Sequence, residues 1–79
     1  MNIIIYTTNW CPFCDFAKNL LKERSLEYEE INIEEKGWGR GKLFELTGGG
    51  TVPQIVIDEK PIGGYDELVK LDSCGLLKH

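Results

Sequence analysis

Three consecutive isoleucines, Ile3-Ile4-Ile5, followed by Tyr6, restrict the fold of this chain more than any other segment. The run lacks the apolar–polar alternation of a half-exposed strand, so residues 2–6 read as a strand buried on both faces. Such a strand needs helices on each side of its sheet. The next segment supplies one: from Pro12 the positions Phe13, Phe16, Ala17, Leu20 and Leu21 follow the i, i+3, i+4, i+7, i+8 spacing of one helical face. Asp15, Lys18, Asn19, Lys22 and Glu23 turn to water. Residues 28–33 then read as a second strand. Strand, helix and strand form a βαβ unit, hence a parallel pair with a right-handed crossover.

Glycine breaks up the second half. In Gly37-Trp38-Gly39-Arg40-Gly41 each internal glycine costs a helix about 0.8–1 kcal/mol relative to alanine. A second helix is therefore expected to begin near Arg40, to lay Leu43, Phe44 and Leu46 against the sheet, and to end at Gly48. Gly48-Gly49-Gly50 is a loop. Residues 54–57 and 60–62 read as an antiparallel hairpin turning at Asp58-Glu59. After Gly63-Gly64 a last helix runs from Tyr65 to about Ser73, with Leu68, Val69 and Leu71 apolar, and closes at Gly75. The element order is βαβαββα, an α/β chain with a mixed four-stranded sheet and helices on both faces.

Seventy-nine residues at 42% hydrophobic content supply one small core, so residues 1–79 are expected to form a single domain. Nine Lys plus Arg against thirteen Asp plus Glu give a net charge of -4 with no basic block, which argues against nucleic acid as a partner. No apolar run approaches the roughly 20 residues of a membrane span, and Met1-Asn2-Ile3 opens without a signal-peptide pattern. Three cysteines are an odd number and do not look like the framework of a secreted domain. A reducing cytoplasm is the simplest compartment, and a monomer the simplest state of a short chain with no obvious exposed apolar stripe.

Two of the cysteines carry the chemistry. Cys11-Pro12-Phe13-Cys14 sits where the first strand hands over to the first helix, and a pair so placed is more often a redox site than a structural one. Unpaired amides and the positive end of the helix dipole stabilise an anion there, so a thiol loses its proton more easily. Pro12 suits the first helical position, where no N–H is needed. A zinc site would have to recruit Cys74 and His79 from the far end of the chain, and no metal is expected. Cys74 reads as an incidental thiol packed as a small hydrophobe. Trp38 reads as part of the apolar shell, and Trp10, beside Cys11, as shaping a binding surface.

Tyr6-Thr7 ahead of Cys11-Pro12-Phe13-Cys14, then Thr51-Val52-Pro53-Gln54-Ile55, then Ile62-Gly63-Gly64-Tyr65-Asp66 stand in order and at compatible spacing. Together they resemble the three signature segments of the glutaredoxins, the smallest members of the thioredoxin-fold superfamily, in their short bacterial and phage dithiol form. The resemblance covers nearly the whole chain. It implies a thioredoxin-like fold and a glutathione-dependent thiol–disulfide oxidoreductase. In that scheme Cys11 is the attacking thiolate and Cys14 the resolving thiol that closes an intramolecular disulfide. Cys11 takes the glutathionyl group from a mixed disulfide and a second glutathione frees it; alternatively Cys14 attacks and glutathione reduces the resulting disulfide. Lys18 adds positive field near the sulfurs and Asp15 opposes it, and the sequence does not rank them.

The resemblance also implies a cis Val52–Pro53 bond, with Val52 pairing to the backbone of glutathione as if it were an added strand. Thr51 belongs to the same segment. Gly63-Gly64 permit close backbone approach, Asp66 pairs with the substrate's α-amino group, and helix amides take its α-carboxylate. The γ-glutamyl end then rests on Gly64, Tyr65 and Asp66; the plainer alternative for Asp66 is a helix cap. Two positions depart from the family pattern. Many members carry lysine three residues before the first cysteine, where this chain has Thr8, counted here with the glutathione-binding positions. Tyrosine is common where this chain has Phe13, which is either a wall of that site or core. Arg40 or Lys42 could replace the missing cation, and Arg40 is the expectation.

No tightly bound cofactor is implied. Glutathione is a co-substrate, and the partners are disulfide-containing or glutathionylated proteins, ribonucleotide reductase among the candidates. Two other readings stay open. One is a redoxin reduced by thioredoxin reductase, which Thr8 makes thinkable. The other is an iron–sulfur carrier in which two subunits share a cluster through Cys11 and two glutathiones; Pro12 and the second cysteine argue against it.

Overall fold

In the computed structural model, which describes residues 1–77, the isoleucine run lies in strand β1 (Ile3–Thr7). The last two positions of the expected 1–79 domain, which include His79, the distant zinc candidate, fall outside the described residues. Strand β2 (Glu29–Asn32) pairs with β1 in parallel, and β3 (Gln54–Ile57) pairs with its other edge antiparallel. Strand β4 (Lys60–Gly63) closes the sheet, whose order is β2-β1-β3-β4. Ile5 therefore sits between Glu30 and Ile55 in register. At the hairpin, Asp58 and Glu59 both take positive φ, 49° and 70°, the backbone that a two-residue turn between twisted strands demands.

Both faces of β1 are covered, which is why an unbroken apolar run was needed there. Ile3 and Ile5 join Ala17, Leu21, Ile55 and Leu68 in one cluster, under helices α1 (Pro12–Glu23) and α3 (Tyr65–Ser73). Tyr6, Ile33, Leu43 and Val56 form the second, under helix α2 (Arg40–Thr47). Each fully buried aliphatic side chain contributes about 1.5–3 kcal/mol. Arg24, at the C-cap of α1, ties the two helices of the first layer together by donating from Nε and Nη2 to the two carboxylate oxygens of Asp72 in α3, at 2.6 and 2.8 Å.

The helices bury narrower arcs than their apolar spacing suggests. On α1 the sheet takes Cys14, Ala17 and Leu21, with Leu20 half-buried, while Phe13 and Phe16 are exposed; Phe13 is not core. On the eight-residue α2 only the i, i+4 pair Leu43 and Thr47 reaches the sheet, and Phe44 and Leu46 face outward. Thr47 tolerates burial because its hydroxyl donates to the Leu43 carbonyl at 2.9 Å. On α3 Leu68 is buried and Val69 exposed. Gly48 ends α2 with φ +81° and an N–H bond to the Phe44 carbonyl. Cys74, at the C-cap of α3, is exposed rather than packed as a small hydrophobe. Among the described residues no helix is long and apolar enough to cross a membrane.

Candidate active site

Cys11 is the N-cap of α1, with extended backbone (φ -155°, ψ 94°), and Pro12 opens the helix behind it. Its sulfur accepts the N–H of Cys14 at 3.1 Å, and its carbonyl accepts the N–H of Asp15 at 3.2 Å. One orphan amide of the helix start is thus aimed at the sulfur, the arrangement that stabilises a thiolate. Cys11 and Cys14 are joined as a disulfide with Cα atoms 5.1 Å apart. Cys11 is half-buried whereas Cys14 is only 1% exposed, so an incoming reactant meets Cys11 first.

Lys18 lies on the same helical face as Cys14, one turn on. Its ammonium is 3.1 Å from Glu30 Oε2 and 3.6 Å from Asp15 Oδ1, and the buried hydroxyl of Thr7 donates to the same Glu30 oxygen at 2.9 Å. Burial pushes the Glu30 carboxyl up, but hydrogen bonds from Thr7 and Lys18 and the lysine charge outweigh it and hold it below its ordinary value. Burial likewise pushes Lys18 down, and Glu30, then Asp15, more than offset that. The positive field of Lys18 is therefore countered inside its own cluster by two carboxylates. The backbone amide is the donor left pointing at Cys11.

The loop before Cys11 is latched to the end of β2. Asn9 donates its backbone and side-chain N–H groups to Glu34, at 3.2 and 3.1 Å, and its Oδ1 accepts from Asn32 Nδ2 at 2.8 Å. Asn32 Oδ1 in turn accepts the backbone N–H of Glu34 and Glu35. Sequence reading missed this latch. Its partners are twenty-three and more residues apart, and no periodicity marks a polar contact between loops.

A groove of about 540 Å³ opens at Phe13, the residue just before Cys14. Phe13 supplies one wall, Thr51, Val52 and Pro53 another, and Gly64, Tyr65 and Asp66 a third. The Val52–Pro53 bond is cis, and Val52 lies outside the strand ladder, which begins at Gln54. A Cβ at Gly64 would stand 3.3 Å from the Pro53 carbonyl oxygen, so glycine is what lets the two segments approach this closely. Gly64, not Asp66, is the N-cap of α3, and its N–H is taken by the Glu67 carboxylate at 2.8 Å.

Two sequence candidates stand away from the groove wall. Thr8 donates to the Trp10 carbonyl at 3.4 Å, and Arg40 donates to the Gly50 carbonyl at 2.8 Å, in the loop that carries Thr51. Lys42 lies over the Trp38 ring, 5.6 Å from its centroid. Trp38 packs on the second core cluster, and Trp10 is 83% exposed next to Cys11. Among the described residues no three acidic, His or Cys side chains gather as a metal site.

Known proteins share this architecture. Residues 3–62 match the glutaredoxin family model. The glutaredoxin of Pseudomonas aeruginosa is 43% identical over 75 residues, spanning 95% of this chain and 89% of that protein. Glutaredoxin 3 of Escherichia coli K12 is 40% identical over 74 residues, 94% of this chain and 89% of that one. Among solved structures, a buckwheat glutaredoxin–glutathione complex superposes with a TM-score of 0.84 at 25% identity, over 95% of this chain and 71% of that one.

Proposed function

This chain belongs to the glutaredoxin family of thiol–disulfide oxidoreductases, and on that premise we propose that it reduces glutathione mixed disulfides and protein disulfides at the expense of glutathione. The observation that carries the reading is Cys11 itself, an N-cap sulfur that receives a backbone N–H and is bonded to a buried partner one turn on. In the reduced protein the Cys11 thiolate attacks the glutathionyl sulfur of a mixed disulfide. That S–S bond breaks, its electron pair leaves on the substrate sulfur, and the departing thiolate takes a proton from water. A glutathione thiolate then attacks the glutathionyl group on Cys11, which forms glutathione disulfide and frees the enzyme. With a protein disulfide, the Cys14 thiolate attacks Cys11 in the mixed intermediate and releases the second substrate thiolate. Two glutathiones restore the dithiol.

Glutathione as co-substrate is supported by the groove that opens at Phe13, within the Cys11–Cys14 segment, and by the glutathione complex of the buckwheat relative. In the proposed pose Val52 pairs with the tripeptide backbone, Thr51 and Pro53 continue that wall, and Phe13 and Tyr65 flank it. Gly64 and Asp66 hold the γ-glutamyl end. Arg40 is the proposed cation for the glycyl carboxylate, reaching it over the loop it grips through Gly50, with Thr8 as a neutral position near the same end. The setting is a reducing cytoplasm, and the physiological partners are glutathionylated or disulfide-bonded proteins such as ribonucleotide reductase.

The test is a coupled turnover assay. Glutathione, glutathione reductase and NADPH should support steady reduction of a small glutathionyl disulfide. Activity confined to a parallel mixture with thioredoxin reductase would overturn the glutathione reading in favour of a redoxin served by that enzyme.

A further inference from the structure

Three aromatic rings meet on the outer surface where α1 begins beside α3. The centroids of Phe13 and Phe16 are 5.8 Å apart, those of Phe13 and Tyr65 6.1 Å, and those of Phe16 and Tyr65 5.9 Å. The core does not absorb them, since Phe13 is 56% and Phe16 51% exposed. Phe13 lies two residues after Cys11 and exposed Trp10 immediately before it, so apolar side chains border the reactive sulfur.

The rim of this surface is acidic. Asp15 lies between the two phenylalanines in sequence and Asp66 follows Tyr65, both exposed. Exposed Glu34 is fixed by two hydrogen bonds from Asn9, two residues before Cys11. The nearby cation is engaged: Lys18 pairs with both Glu30 and Asp15, more closely with Glu30, so one lysine faces two carboxylates and the cluster keeps a net negative charge on the Asp15 side. Arg24 is held by Asp72 and Arg40 by the Gly50 carbonyl. Ring faces and carboxylates both attract a cation, and the aliphatic stem of lysine or arginine can cover the rings while its head reaches the rim.

We propose that this surface docks protein disulfides flanked by lysine or arginine, setting which reducible proteins the enzyme prefers. The inference rests on the oxidoreductase reading and adds a substrate class to it. The chain's charge of -4 acts in the same direction at long range.

A single-turnover experiment with the pre-reduced protein tests it. The probes are two synthetic peptides with the same intramolecular disulfide loop, one flanked by lysines and one by glutamates, and a small glutathionyl disulfide. In each peptide reaction the peptide disulfide gains two electrons and two protons, becoming two thiols, as Cys11 and Cys14 become a disulfide. At low ionic strength the lysine peptide should react about tenfold faster, with the preference shrinking as salt screens the rim. Phe16→Ala should slow the lysine peptide several-fold and leave the small glutathionyl disulfide unchanged, because Phe16 is not on the groove wall. Equal rates for the two peptides at low salt would overturn the proposal, as would a Phe16→Ala protein that slows both substrate types alike. Failure to reduce any of the three disulfides would instead overturn the oxidoreductase reading, and this inference with it.

Discussion

The backbone N–H of Cys14 points at the sulfur of Cys11 from 3.1 Å. In the reduced protein this amide, together with the dipole of the helix behind it, stabilises the thiolate over the thiol. The Cys11 thiol should therefore ionise below about 8.5, the value of a free cysteine. The rate of iodoacetamide alkylation as a function of pH reads this directly. A midpoint no lower than in an unfolded peptide would remove the basis of the proposed chemistry.

Cys11 and Cys14 differ in access, and their substitutions should separate two routes. Cys11→Ser removes the only sulfur of the pair that a substrate meets and should abolish turnover on every disulfide. Cys14→Ser should keep reduction of small glutathionyl disulfides, where glutathione resolves the intermediate. It should lose most activity on protein disulfides, where the intramolecular attack is needed. A Cys14→Ser protein inactive on both substrates would assign Cys14 a role beyond resolution.

The order of elements and the cysteine pair were legible because their signals are local. The isoleucine run, Pro12 after an N-cap cysteine, and the glycines Gly48 and Gly75 after α2 and α3 all act over a few residues. What sequence misjudged is how wide a helical arc the sheet covers. Phe13 and Phe16 have the spacing of core residues, yet β1 and β3 accept only the Cys14, Ala17 and Leu21 row, and the two rings lean on Tyr65 instead. Phe44 was misread for the same reason. The polar clusters of Lys18 with Glu30 and Asn9 with Glu34 join segments distant in sequence, and only the folded chain brings them together.

Arg40 spans α2 and the loop that carries Thr51, through its bond to the Gly50 carbonyl. If it also pairs with the glycyl carboxylate of glutathione, Arg40→Ala should raise the glutathione KM about fivefold, the effect of an exposed ion pair near 1 kcal/mol. The maximal rate should change little. An unchanged KM would remove Arg40 from the site.

Glycine is needed at Gly63 and not at Gly41. Gly63 has φ +113°, and a Cβ there would fall 2.7 Å from the Glu67 carboxylate that caps α3. Gly63→Ala should cost about 1–3 kcal/mol. Gly41 lies within α2 with nothing near its missing Cβ, and Gly41→Ala should gain about 0.4–1 kcal/mol. Urea denaturation of both variants checks the pair, and equal effects would contradict the geometric account.

Glu30 makes stability depend on acid. Its carboxyl is held below the ordinary value in the folded protein, burial working against and the hydrogen bonds of Thr7 and Lys18 working for the charged form. A depressed carboxyl stabilises the fold above its unfolded value, about 4.3, and that contribution is lost as pH falls through the lower folded value. Glu30 is partly exposed, so screening limits the term to about 0.5–1 kcal/mol at neutrality. Asp72, also held below its ordinary value by its hydrogen bonds from Arg24, is common to both proteins compared. The urea midpoint of Glu30→Gln should lie below that of the parent at pH 7, and the two should converge as pH drops below about 4. A gap that persists unchanged to pH 3 would mean that the loss comes from shape rather than charge, and the electrostatic role of Glu30 would fall.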